Sequence, residues 1–169
     1  MKTVLMGYMG SGKSVIGKAF SKKHNIDFID LDDYIEKQEK CSISEIFKQK
    51  GEIYFRKIES IYLKELLNDR NSFILALGGG TPCYGTNMEN ILNKSKAVYL
   101  KCSVSELFNR LKNETNQRPL IATIGLSTLK EFIAKHLFER APYYEQAAIV
   151  VETDNKSLTK IVDEIGSLV

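Results

Sequence analysis

Short apolar runs alternate along this chain with stretches in which apolar residues recur every three or four positions. The runs at residues 3–6, 27–30, 72–77, 97–100 and 147–151 have the length and aliphatic content of buried strands. Between them, Val104, Leu107, Phe108 and Leu111 make one helical stripe, and Leu158, Ile161, Val162 and Ile165 make another. Val15, Ile16, Ala19 and Phe20 begin a helix directly after a glycine-rich turn. Strands alternating with helices predict an α/β fold, a parallel sheet covered on both faces. Right-handed crossovers follow, and so does ligand binding at the carboxyl ends of the strands.

Two stretches break the alternation. Residues 32–69 read as almost wholly helical and charged, more chain than one crossover needs. Residues 112–128 are polar and include Arg118-Pro119; so long a loop in a compact domain is functional, such as a lid, or disordered. The expectation is one domain over residues 1–169, with a five-stranded core. Two insertions cross the strand ends, helices at about 32–60 and a lid at about 112–124.

Composition narrows the classes without changing that picture. A chain of 169 residues fits one domain, and 43% hydrophobic with 27% charged residues argues against disorder and coiled coil. Cys41, Cys83 and Cys102 lack C-x-x-C spacing, so neither a disulfide framework nor a zinc site is expected, and a reducing cytoplasm suits the chain. The longest uncharged stretch, residues 71–88, holds four glycines and Pro82, and the N-terminal apolar run is short for a signal peptide. No membrane partner is expected. Net charge is only +3, but the first 24 residues carry five lysines and no acid. A positive end on a nearly neutral body suits a small anion better than nucleic acid, although a solvated helix face accounts for most of these lysines.

The sharpest chemical signal is Gly7-Tyr8-Met9-Gly10-Ser11-Gly12-Lys13-Ser14, a full G-x-x-x-x-G-K-[ST] between a predicted strand and a predicted helix. Glycines let successive backbone N–H groups turn inward around phosphate, and the helix adds its positive N-terminus. Lys13 supplies a mobile charge for the β- and γ-phosphates, and the Ser14 hydroxyl is a Mg²⁺ ligand candidate. A GTP switch is disfavoured: Asn155-Lys156-Ser157-Leu158 ends in leucine where N-K-x-D needs an acid, and Asp163-Glu164-Ile165-Gly166 falls inside a helix pattern. An ATPase motor is disfavoured too. Its core strand would end in acidic residues, whereas the run Phe73-Ile74-Leu75-Ala76-Leu77 ends in Gly78-Gly79-Gly80.

The metal carboxylate is then sought at Phe28-Ile29-Asp30-Leu31-Asp32-Asp33. In extended chain Asp30 and Asp32 point to one side, one to hold metal-bound water and the other to accept a hydroxyl proton. A strand end passing into a helix N-cap is the competing reading. Gly78, Gly79 and Gly80 would let a substrate approach the main chain; the alternative is a left-handed turn. Arg140 continues the stripe of Leu129, Phe132, Ile133 and Leu137 onto an inward helix face, where a guanidinium must snorkel or meet an anion. Arg56 is flanked by Glu52 and Glu59 at helix spacing, so a surface ion pair competes with a binding role. Arg118, in the expected lid, is an arginine-finger candidate or simply a loop arginine. Together these residues read as ATP-dependent phosphorylation of a small, polar, anionic alcohol.

The ordered set formed by the phosphate loop, Asp30-x-Asp32, Phe55-Arg56-x-x-Glu59, Gly78-Gly79-Gly80, Arg118-Pro119-Leu120 and Arg140-x-x-x-Tyr144 resembles the shikimate kinases along nearly the whole chain. That resemblance implies a nucleoside-monophosphate-kinase-like P-loop fold with strand order 2-3-1-4-5. It also implies phosphorylation of the shikimate 3-hydroxyl by ATP with Mg²⁺, in aromatic amino-acid synthesis. A monomer that binds ATP and shikimate is expected.

Carried over by residue, the resemblance gives ATP to Gly10, Ser11, Gly12, Lys13, Ser14 and Val15, and Mg²⁺ to Ser14 and, through water, Asp30. Asp32 binds the substrate hydroxyls and is the base candidate, Arg56 and Arg140 clamp the carboxylate, and the main chain of Gly78, Gly79 and Gly80 meets hydroxyls. Arg118 reaches the phosphates, while Arg110, Asp154 and Asn155 border adenine, although Arg110 also reads as a solvated helix residue. Val15 stands where many relatives carry a second Ser or Thr, and the adenine loop lacks the proline some place near Leu158. Another metabolite kinase, such as a gluconate kinase, has no obvious need for both arginines and the glycine run. A regulatory module without turnover has none for the Asp30–Asp32 pair.

Overall fold

The computed structural model describes residues 2–112 and 124–169. Five strands, β1 (Lys2–Met6), β2 (Asp27–Asp30), β3 (Phe73–Ala76), β4 (Lys96–Lys101) and β5 (Ile149–Glu152), form one sheet in the order β2-β3-β1-β4-β5. Every pairing is parallel, with Val4 opposite Leu75 on one side and Ala97 on the other. All five expected strands are present, β2 at its expected bounds and the others with one or both ends shifted by one or two residues. The largest shift is at β5: the Ala147 N–H bonds the Tyr144 carbonyl at 3.1 Å, closing the turn after the preceding helix, so the strand starts at Ile149.

Because successive strand residues face opposite ways, each run feeds two cores. Val4, Met6, Leu75 and Tyr99 face one side, where they meet the helices α2 (Leu31–Glu39), α3 (Ile43–Asn68) and α4 (Asn87–Lys94). Leu5, Ile74, Val98 and Leu100 face the other, against Ile16 and Phe20 of α1 (Lys13–His24) and Ile161, Val162 and Ile165 of α7 (Leu158–Leu168). A third cluster joins Leu107 and Leu111 of α5 (Val104–Leu111) to Leu129 and Ile133 of α6 (Leu126–Tyr144), around the Tyr8 ring. Burial on both faces explains why the strands read as continuous apolar runs rather than alternating ones.

The helical stretch between β2 and β3 is two helices, and the second bends. A Ser42–Glu45 capping box opens α3, and Gly51, at φ +80°, interrupts its helical backbone. The remainder of α3 beyond the bend carries Arg56 and Glu59, and its Phe55, Ile58, Leu63, Leu66 and Leu67 join the core on that face of the sheet. Of the lid expected at residues 112–124, only Lys112 and Ile124 are among the described residues. Among the described residues no helix is long and apolar enough to cross a membrane, and all three cysteines are free.

Candidate active site

The carboxyl ends of β1, β2 and β3 open on one cleft of about 640 Å³, a size usual for small-molecule sites. At the end of β1, Gly10 and Gly12 hold φ of +79° and +96°, the left-handed turns that let the loop curl. Helix α1 begins after Gly12 with no side-chain cap, as α4 and α6 also do, whereas Asp30, Ser42, Ser103 and Ser157 cap α2, α3, α5 and α7. Its first N–H groups are therefore left for an anion. The Ser11 hydroxyl, buried in the same loop, has no hydrogen-bond partner among the described residues. Lys13 arches back over the loop, its Nζ donating to the Gly7 and Tyr8 carbonyls at 2.9 and 3.0 Å.

Asp30 closes the next wall. Its Oδ2 accepts the Ser14 hydroxyl at 2.6 Å and its Oδ1 accepts the Asp32 N–H at 3.1 Å. Asp30 is the N-cap of α2, as the competing sequence reading had it, and it also partners the phosphate-loop serine. Asp33 falls in the first turn of that helix. Asp32 faces inward. Burial, followed by the like charges of Asp30 and Glu59, pushes its carboxyl up to about 6, against the pull of Lys13. A carboxylate so placed accepts a proton more readily than one in water.

The glycine run after β3 is not a left-handed turn: none of Gly78, Gly79 and Gly80 has positive φ. Crowding explains all three. A Cβ on Gly80 would lie 3.0 Å from Arg56 Nη2, one on Gly79 3.3 Å from both Arg140 Nη1 and the Met9 N, and one on Gly78 3.4 Å from Asp32 Oδ1. The bare backbone thus lets two guanidinium groups and the phosphate loop converge on one turn. Arg56 keeps its helix partners as well, with Nη1 on Glu59 Oε2 at 3.0 Å and Nε on Glu52 at 3.4 Å, and its guanidinium lies over the Tyr84 ring. The ion pair and the inward position are therefore compatible. Arg140 sits beside the Tyr8 ring, at 5.7 Å from its centroid.

Arg110 is more than a solvated helix residue, since Nη1 donates to the Gly10 carbonyl at 3.2 Å while Nε pairs with Glu106. Val15 is 60% exposed on the cleft. Asp154 turns elsewhere: its carboxylate accepts the Ser103 N–H at 3.1 Å and lines a second cavity. Asn155 occupies a left-handed turn at φ +56°, and it is Lys156 and Leu158 from this loop that line the main cleft. Arg118 lies outside the described residues. Tyr144, quoted only as part of a motif, and Glu59, read only as a helix-spacing partner of Arg56, take on structural roles. The buried Tyr144 hydroxyl donates to the Gly79 carbonyl, tying the end of α6 to the glycine turn, and Glu59 orients Arg56.

The shikimate kinase family model matches residues 9–169 of the chain. A shikimate kinase of Flavobacterium johnsoniae is 49% identical over 166 residues, covering 97% of this chain and 96% of that one. The crystal structure of a shikimate kinase from Bacteroides thetaiotaomicron superposes with a TM-score of 0.87 at 34% identity, over 99% of this chain and 97% of that one. One from Acinetobacter baumannii, solved in complex with shikimate, also gives 0.87 at 28% identity, over 99% and 91%. The strand order and the motif set agree with those matches, and the chain belongs to the shikimate kinase family, enzymes that phosphorylate shikimate at the expense of ATP.

Proposed function

We propose that the cleft phosphorylates the shikimate 3-hydroxyl with the phosphate loop as the ATP seat and Asp32 as the base. The backbone N–H groups of residues 10–15 and the start of α1 hold the triphosphate, and Arg110 braces the loop from α5. Arg110 from α5 and Lys156 and Leu158 border adenine, with Asn155 shaping the turn that presents the latter two and Asp154 fixing that turn to Ser103. Ser14 and Asp30 offer only hard oxygen donors, which fits Mg²⁺, and when bound that ion would neutralise charge on the phosphate oxygens.

The acceptor lies across the glycine turn. Arg56 and Arg140 take its carboxylate and the main chain at residues 78–80 meets its hydroxyls. Asp32 accepts the proton of the attacking hydroxyl as that oxygen bonds to the γ-phosphorus and the bond to the ADP oxygen breaks. Lys13 and the loop amides stabilise the charge on the moving group. The observation that carries this reading is the approach of both guanidinium groups, from α3 and α6, to adjacent glycines beside Asp32.

Replacing Arg140 by alanine tests it. The loss of a charged hydrogen-bonding partner raises the KM for shikimate by about ten- to a hundredfold, with the KM for ATP unchanged. A rise confined to the ATP KM in steady-state assays would remove the carboxylate clamp. Arg118→Ala lowers kcat by as much as ~10³-fold if its guanidinium serves as a finger on the transferring phosphoryl. An unchanged kcat in single-turnover measurements would take that role from it.

A further inference from the structure

The phosphorylation reading leaves unexplained what fixes Arg56, whose long side chain must hold one pose to act as half of a clamp. Two of its contacts are peripheral: Glu52 is over half exposed and its distances of 3.4 and 3.5 Å to Arg56 are long. The inner contact is Glu59, 1% exposed, whose Oε2 accepts from Arg56 Nη1. A buried carboxylate has a second oxygen to satisfy, and here one side chain does so. Thr81, itself 0% exposed, donates its hydroxyl to Glu59 Oε1 at 2.6 Å.

Thr81 is in turn held from three sides. Its N–H bonds the Gly78 carbonyl at 3.2 Å, its own carbonyl accepts from Asn87 Nδ2 at 2.9 Å, and Pro82 follows it in a short 3₁₀ turn. The hydroxyl therefore stands at a fixed place at the end of the glycine turn, and pins the carboxylate that aims Arg56. The same oxygen of Glu59 and Asp32 Oδ1 lie equally close to the open Cβ position of Gly78, each at 3.4 Å.

We propose that Thr81 is a positioning residue for the acceptor site: through Glu59 it holds Arg56 where the substrate carboxylate binds. It touches no substrate, and the proposal rests on the assignment of Arg56 to that carboxylate. Thr81→Val keeps the shape and removes the donor, leaving Glu59 Oε1 unpartnered. The expected result is a rise of about tenfold in the KM for shikimate, the KM for ATP staying within twofold. Thr81→Ser restores the wild-type value because it keeps the hydroxyl.

The decisive measurement is the double variant. In an Arg56→Ala background, Thr81→Val adds no further loss of shikimate affinity if it acts through Arg56, whereas an independent packing defect adds its full effect. Thr81→Ala gives the same comparison should the valine variant fail to fold. An unchanged shikimate KM in Thr81→Val, or additive losses in the double variant, overturns the proposal while leaving the reaction assignment intact. An Arg56→Ala variant with normal shikimate KM would instead strike the clamp itself.

Discussion

Lys13→Ala is expected to lower kcat by about a thousandfold while the protein still folds. The side chain reaches no hydrophobic core; its Nζ spans the Gly7 and Tyr8 carbonyls at the neck of the phosphate loop. That placement puts a full positive charge over the loop from a residue at the start of α1. On the proposed reading its work is electrostatic and falls on the phosphoryl group as charge moves from the γ- to the β-phosphate oxygens. A coupled assay of ADP release at saturating shikimate reads the effect, with the melting temperature as the control for folding. Turnover within tenfold of the parent protein would show that the loop amides suffice.

Asp32→Asn is the second large effect. The amide occupies the same volume beside Gly78 and leaves intact the bond from the Asp32 N–H to Asp30, so only the proton acceptor is lost. General-base catalysis contributes about a hundred- to ten-thousandfold, and kcat is expected to fall within that range. Asp30→Asn differs in kind: with its carboxylate joined to the Ser14 hydroxyl, its loss shifts the Mg²⁺ dependence of the rate. Rate against Mg²⁺ concentration for the two variants separates the roles. An Asp32→Asn protein with near-normal kcat, beside an Asp30→Asn protein that is dead at every Mg²⁺ concentration, would exchange them.

Local features of this fold were plain in the residues because local chemistry fixes them. The phosphate loop needs its glycines and lysine in consecutive positions, and the strands needed only apolar runs bounded by turns. Asp30 and Asp32 were readable because they lie two positions apart where β2 passes into α2, although Asp32 is helical there and not in the extended chain expected of it. What stayed hidden depends on contacts between distant segments. The spacing of Arg56 and Glu59 predicted their pairing, yet nothing in the sequence pointed to Thr81, 22 positions further on, as the donor to the other oxygen. The hydroxyl of Tyr144 meets a carbonyl 65 positions away, a match made only once α6 crosses the glycine turn. Gly51 lay within a helical pattern that tolerates glycine, so its bend was invisible as well. At residues 78–80 the sequence pointed to a substrate approaching the main chain, with a left-handed turn as the alternative; the structure excludes the turn and shows side chains crowding the run, a demand glycine meets with the same absent Cβ.

All of these assignments presuppose that a nucleotide phosphate and a carboxylated alcohol meet at Asp32. The direct measurement is mass spectrometry of the products after the purified protein is incubated with Mg²⁺, ATP and shikimate, in parallel with gluconate and with no acceptor. The account predicts phosphorylated shikimate in step with ADP, and negligible ADP in the other two mixtures. ADP formed at the same rate without shikimate, or phosphate carried by gluconate and not by shikimate, would contradict it.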